Sequence, residues 1–151
     1  MEVFRISRAR YAHGLEASGS ANRWNHRGQF VIYVGSSRSL STLELVVHRG
    51  SIAPSDDYKV MVISIADEDY LYHQIQSTAL PEQWRSFAAY SDLQEMGARW
   101  YKDQTSLVLK VPSAVIPHEF NYLINAEHPL FREKVALVRT EDYFWDSRLL
   151  F

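Results

Sequence analysis

The sequence predicts an α+β fold in a single domain, on three observations. Strand-type and helix-type stretches intermix without the regular βαβ rhythm of a parallel sheet. The chain has 151 residues, and no repeat, low-complexity tract or Pro/Gly/Ser-rich linker divides it, so residues 1–151 read as one unit. The hydrophobic fraction of 46% is enough to fill a core without disulfide staples.

The elements follow in order. Val3 to Ile6 is a short apolar run with the character of an edge strand, and residues 7–29, with Gly14, Gly19 and Gly28, read as an irregular loop. Phe30 to Val34 is the clearest strand, β-branched and aromatic and ended by Gly35. A helix is expected from about Leu40 to His48, with Leu40, Leu43 and Val47 along one side, Glu44 one position off that side, and Gly50 as its stop. Tyr58 to Ile65 is a second strand, and residues 66–90 carry no clear pattern. Ser91 and Gln94 have capping-box spacing for a helix from Asp92 to Lys102. Leu107 to Val111 reads as a strand closed by Pro112, Pro117 to Pro129 as a polar-aromatic loop, and Val135 to Val138 as a last strand. The apolar tail from Tyr143 to Phe151 is expected to dock on the body.

Composition removes several classes of function. With no cysteine there is no disulfide, thiol nucleophile or cysteine-ligated zinc, and a reducing compartment is expected. No apolar run approaches the roughly 20 residues of a membrane span, and the N-terminus lacks a signal-peptide core. The expectation is a soluble, cytoplasmic protein. The net charge of −2 conceals an asymmetry: residues 1–50 hold seven Arg against three Glu, whereas residues 51–151 hold nine basic and fifteen acidic residues. That balance does not point to nucleic acid. The all-arginine basic set of the first third suits bidentate phosphate binding, although a solvated face has the same composition. Walker A, dinucleotide-fold glycine and HExxH signatures are absent, and the six His are scattered without metal-ligand spacing, so no metal site is expected.

Chemistry concentrates in residues 22–48. Arg23 sits in the loop Asn22-Arg23-Trp24-Asn25-His26-Arg27-Gly28, Tyr33 follows on the strand, and Glu44 lies within an otherwise apolar helix face. Singly, each has a structural reading: a surface arginine, a core tyrosine, an outward glutamate. Together they describe a cleft. Arg23 would hold a pyrophosphate, Tyr33 would stack on a flat heterocycle, and Glu44 would stabilise positive charge developing on a sugar. Cleavage of an N-glycosidic bond to a cationic base needs such a trio.

The same residues resemble a known family. Arg23-Trp24-Asn25 with Gly28, then Val31-Ile32-Tyr33, then Leu40 to His48 are similar to the core of the RES domain. The likeness continues through Gly97, Trp100, Leu109 to Pro117, Glu119 to Pro129 and Asp146 to Leu149. The resemblance implies a compact fold like that of ADP-ribosyltransferases. It implies a toxin of a type II toxin–antitoxin pair with an Xre-type antitoxin as partner and a possible homodimer within that complex. It also implies that NAD+ is consumed as substrate, with no prosthetic group. Carried over by position, Arg23, Tyr33 and Glu44 are catalytic, and Arg23, Tyr33, Ser113 and Asn125 bind the dinucleotide. Glu44 would hydrogen-bond the nicotinamide ribose, and Ser113 would orient ribose or phosphate oxygens. One departure is local: Ala21-Asn22 stand where the family usually has Gly-Gly before Arg-Trp-Asn.

Alternatives remain open at the level of sequence. The acceptor of the ribosyl group is water, phosphate or a protein, and the last would make the chain an ADP-ribosyltransferase. The Ala21-Asn22 departure also admits a catalytically impaired module that binds NAD+ or a partner. An RNA-cleaving toxin would call for a basic groove and a His/Lys pair, which the sequence does not offer. The aromatic tail, Tyr143, Phe144, Trp145 and Phe151, is a candidate antitoxin surface, with core packing the stronger reading.

Overall fold

A computed structural model describes residues 1–48 and 57–149. Its centre is one mixed seven-stranded sheet: β1 (Glu2–Arg8), β2 (Val31–Gly35), β3 (Tyr58–Ile65), β4 (Tyr72–Gln74), β5 (Val108–Pro112), β6 (Phe120–Asn125) and β7 (Val135–Asp142). The strand order is β4-β5-β6-β2-β1-β3-β7. Among the described residues only β4 and β5 pair in parallel; the remaining strand pairs are antiparallel. Helices α1 (Arg38–Val47) and α2 (Tyr90–Asp103), with the short α3 (Phe131–Lys134), complete an α+β domain.

Val3 to Ile6 is not an edge. It is the middle of β1, which pairs with β3 over seven residues on one side and with β2 on the other. The reason is burial on both faces. Val3 joins Ile32, Val34, Met61 and Ile63 in one core, and Phe4 and Ile6 join Tyr58, Val60 and Val62 in a second. The true edges are the three-residue β4 and the more exposed β7.

Other boundaries shift for local reasons. The supposed loop from Pro117 to Pro129 contains β6, which lies between β2 and β5 and buries Leu123 and Ile124 completely. Its polar residues, Asn121 and Asn125, hide the strand in the sequence. Residues 66–90 supply β4 and three short 3-10 turns. Helix α1 starts two residues early because the Ser37 hydroxyl accepts from the Leu40 N–H at 3.0 Å. Leu40, Ser41 and Leu45 face inward on it, while Val47, expected with them, is 56% exposed. Gly50 lies outside the described residues.

The capping box at Ser91 and Gln94 does not form. A 3-10 turn over Phe87–Ala89 runs straight into α2, whose N-cap is Ala89, and Gln94 is engaged elsewhere. The strand expected at Val135–Val138 continues to Asp142. In the tail, Tyr143 and Trp145 pack edge-on and Trp145 meets Tyr58 edge-on at 5.6 Å, so this part docks. Phe144 points out at 83% exposure, and Phe151 lies outside the described residues. No helix among the described residues is long and apolar enough to cross a membrane.

Candidate active site

Strands β1 and β2 join at one pair only, Phe4 with Gly35, and then part. A cavity of about 550 Å³ opens there. Its walls are the Ser20–Trp24 loop, the β1 segment Phe4–Ile6, the β2 segment Tyr33–Gly35, one side of α1, and the ends of β5 and β6. Arg23, Tyr33 and Glu44 all line it.

Glu44 projects from the middle of α1. Its Oε1 accepts two hydrogen bonds, from Ser113 Oγ at 2.8 Å and from Asn121 Nδ2 at 2.7 Å. No described residue donates to Oε2. One oxygen is therefore fixed, and the other is left without a described donor on a residue that lines the cavity. Ser113 is itself fixed: it is 1% exposed, and its Oγ also accepts from the N–H groups of Val115 and Ile116 at 3.0 Å. Because those amides already occupy its lone pairs, its proton points at Glu44.

The Arg23 loop is held from three sides. The Arg23 guanidinium donates through Nη1 to the carbonyls of Trp84 and Arg85 at 3.2 Å and lies 4.7 Å above the Tyr90 ring. No described carboxylate pairs with it, so the charge remains available to an anion. The Tyr33 hydroxyl accepts from the Trp24 N–H at 3.2 Å and donates to Asn25 Oδ1 at 2.5 Å. Burial is the main reason its pKa rises above the usual tyrosine value, and the phenol stays neutral. From α2, Gln94 donates to the Asn22 carbonyl at 2.9 Å, and His26 meets Glu95 at 2.8 Å. At Gly97 a Cβ would lie 1.6 Å from the Trp24 carbonyl oxygen, so α2 and the loop touch backbone to backbone.

The RES domain profile matches residues 2–146. The chain belongs to the RES domain family. It is 34% identical over 155 residues to a protein named Toxin Res from Yersinia enterocolitica, covering 99% of both chains. A second Toxin Res, from Photorhabdus laumondii, is 30% identical over 154 residues, covering 99% of this chain and 97% of the other. A protein named Prs ADP-ribosylating toxin, from a Sphingobium species, is 33% identical over 138 residues, covering 91% of this chain and 85% of its own.

In this RES domain two of the expected ligand contacts stand elsewhere. Ser113 lies behind Glu44, with its hydroxyl committed to the carboxylate and two amides, so it positions Glu44 and does not line the cavity. Asn125 is fully buried at the far end of β6, four residues and roughly 13 Å along the strand from Asn121. Its Nδ2 donates to the Tyr101 carbonyl, and its Oδ1 accepts from the Glu127 N–H. Those bonds give it a structural duty, pinning the turn after β6 to the end of α2.

Arg5, His48 and Asn121 line the cavity and were not singled out from the sequence. Arg5 lines the cavity from β1, donates through Nη1 to the Glu16 carbonyl at 3.3 Å, and pairs with no described carboxylate. Burial lowers its pKa, but an arginine remains charged. The available signal was an arginine inside an apolar strand. His48 lines the cavity one turn beyond Glu44. Asn22, at the altered position before Arg23, is part of a tight turn: its Oδ1 accepts from the Arg23 N–H at 2.8 Å and its backbone bridges to Asn25.

Proposed function

We propose that this RES domain is a toxin-type enzyme that takes NAD+ as substrate and cleaves its nicotinamide–ribose bond. The observation that carries the reading is Glu44: a carboxylate clamped through one oxygen, lining a cavity that also holds two arginines with no carboxylate partner among the described residues. The two toxin relatives that span the whole chain support it.

Arg23 and Arg5 supply positive charge for the pyrophosphate. Tyr33 holds the Arg23 loop and gives the cavity an aromatic wall. Glu44 Oε2 takes a ribose hydroxyl and stabilises the positive charge that grows on the sugar as the C–N bond breaks. The bonding pair leaves with the ring nitrogen, so nicotinamide departs neutral and needs no general acid. An acceptor oxygen then bonds to C1 of the ribose and releases its proton. With water the products are ADP-ribose and nicotinamide; with phosphate, the ribosyl phosphate.

The purified protein is incubated with NAD+, and free nicotinamide is measured by chromatography. Release is expected, with Glu44→Gln lowering kcat on the order of 10²- to 10³-fold and leaving KM nearly unchanged. NAD+ left intact at stoichiometric protein would sink the proposal.

Transfer to a protein is the second reading, favoured by the relative named Prs ADP-ribosylating toxin. It predicts a labelled protein band from labelled NAD+ and a cell extract. An impaired, binding-only module would hold NAD+ without releasing nicotinamide. The working context proposed for the chain is the bacterial cytoplasm, with an Xre-type antitoxin covering the cleft and a homodimer forming within that complex.

A further inference from the structure

Asn121 contributes more to the cavity than its bond to Glu44. A carboxylate oxygen only accepts, so the Asn121 end that meets Glu44 Oε1 at 2.7 Å must be the NH₂. This fixes the amide orientation and turns Oδ1 away from Glu44. Asn121 lines the cavity, and no described residue donates to its Oδ1. Oδ1 is also not among the buried polar atoms that lack a partner, so it reaches solvent. Glu44 Oε2 meets the same conditions. Two acceptors that reach solvent thus belong to residues lining one cavity, and a single hydrogen bond joins those residues. A paired acceptor of this kind suits two adjacent hydroxyl donors held on a rigid ring.

We propose that Asn121 is a specificity-determining contact for a ribose: Glu44 Oε2 and Asn121 Oδ1 together take the two hydroxyls of its cis-diol, with Asn121 on the 3′-hydroxyl. This rests on the reading of the site as an NAD+-cleaving one. It adds a ligand-binding role to a residue whose visible bond is structural, and it makes the sugar's second hydroxyl a requirement.

The test compares NAD+ with its analogue lacking the 3′-hydroxyl on the nicotinamide ribose, using wild-type protein and Asn121→Ala, with kcat and KM measured for all four combinations. For wild type, the analogue is expected to lose roughly ten-fold in kcat/KM, the scale of one neutral hydrogen bond plus an acceptor left unpaired. For Asn121→Ala, NAD+ and the analogue are expected to be turned over alike. If Asn121 only positions Glu44, the losses from variant and analogue multiply instead, and the proposal falls. Wild-type indifference to the 3′-hydroxyl also overturns it, whatever the folding of the variant. Turnover of NAD+ with such indifference removes this inference alone; no turnover at all removes the NAD+ reading with it.

Discussion

Gly97→Ala is the sharpest test of how the site is held. The added Cβ would stand 1.6 Å from the Trp24 carbonyl oxygen, 2.7 Å from its carbonyl carbon and 3.3 Å from its Cα. A carbon–oxygen contact settles at about 3.3 Å or more, so helix and loop must separate by roughly 1.5 to 2 Å. No rotamer change relieves this, because every clashing atom is backbone. The separation strains the Gln94–Asn22 hydrogen bond and the packing of Trp24, which is 2% exposed. Overpacking costs about 1–3 kcal/mol, and the backbone clash places this case at the upper end. At roughly 2–4 °C per kcal/mol for a chain of this size, Tm should fall by about 6–12 °C. Arg23 adjoins Trp24, so NAD+ affinity should fall with it. A thermal melt and a calorimetric titration on the same preparation measure both. Gly14→Ala, whose Cβ would meet nothing within 4 Å, is the control and should leave both unchanged. A Gly97→Ala protein melting within about 2 °C of wild type, with full affinity, would refute the contact between α2 and the Arg23 loop.

Two further predictions separate binding from folding. Tyr33→Phe leaves the Trp24 N–H and the buried Asn25 Oδ1 without the hydroxyl that serves both, a loss of about 1–3 kcal/mol; steady-state kinetics should show KM for NAD+ rising more than kcat falls. The Arg38 and Arg139 guanidiniums hold the Glu141 carboxyl at about 2 in the folded chain, below the ordinary 4.5. A depressed carboxylate stabilises the fold above its unfolded pKa and loses that contribution as pH falls, so acid titration should weaken the α1–β7 link between about pH 4.5 and 2, and Glu141→Gln should flatten that part of a Tm-against-pH curve.

The sequence carried the α+β class because it depends on element types, and those show in Phe30–Val34, Tyr58–Ile65 and the two helices. Sheet order did not show. Whether Val3–Ile6 lies at an edge depends on partners more than 30 residues away, and consecutive buried residues on both faces look, over so short a stretch, like any apolar run. β6 was hidden because Asn121 and Asn125 spend their amides on internal partners, which reads as loop polarity. In the site, residue type and spacing brought Arg23, Tyr33 and Glu44 to one cavity. They could not say which polar residues line it: Ser113 follows β5 and Asn125 sits four residues along β6 from Asn121, placements that strand pairing settles.

The cleft and its carboxylate have one structural origin. Ser41 Oγ donates to the Phe4 carbonyl at 2.9 Å, stapling α1 to the single residue pair that joins β1 to β2. Gly35, the partner of Phe4, admits this approach, since a Cβ there would lie 2.5 Å from Ser41 Oγ. Beyond that point the strands diverge. Glu44 is three residues on from Ser41 and so lies on the same face of α1, over the gap. The last sheet contact thus sets both where the cavity begins and how far above it the carboxylate stands. Ser113, just past the end of β5, and Asn121 on β6 then decide which oxygen is held and which is left open. A substitution at Gly35 would move the helix and with it Glu44, whereas one at Ser113 or Asn121 turns the carboxylate in place. The fold separates placing the charge from aiming it.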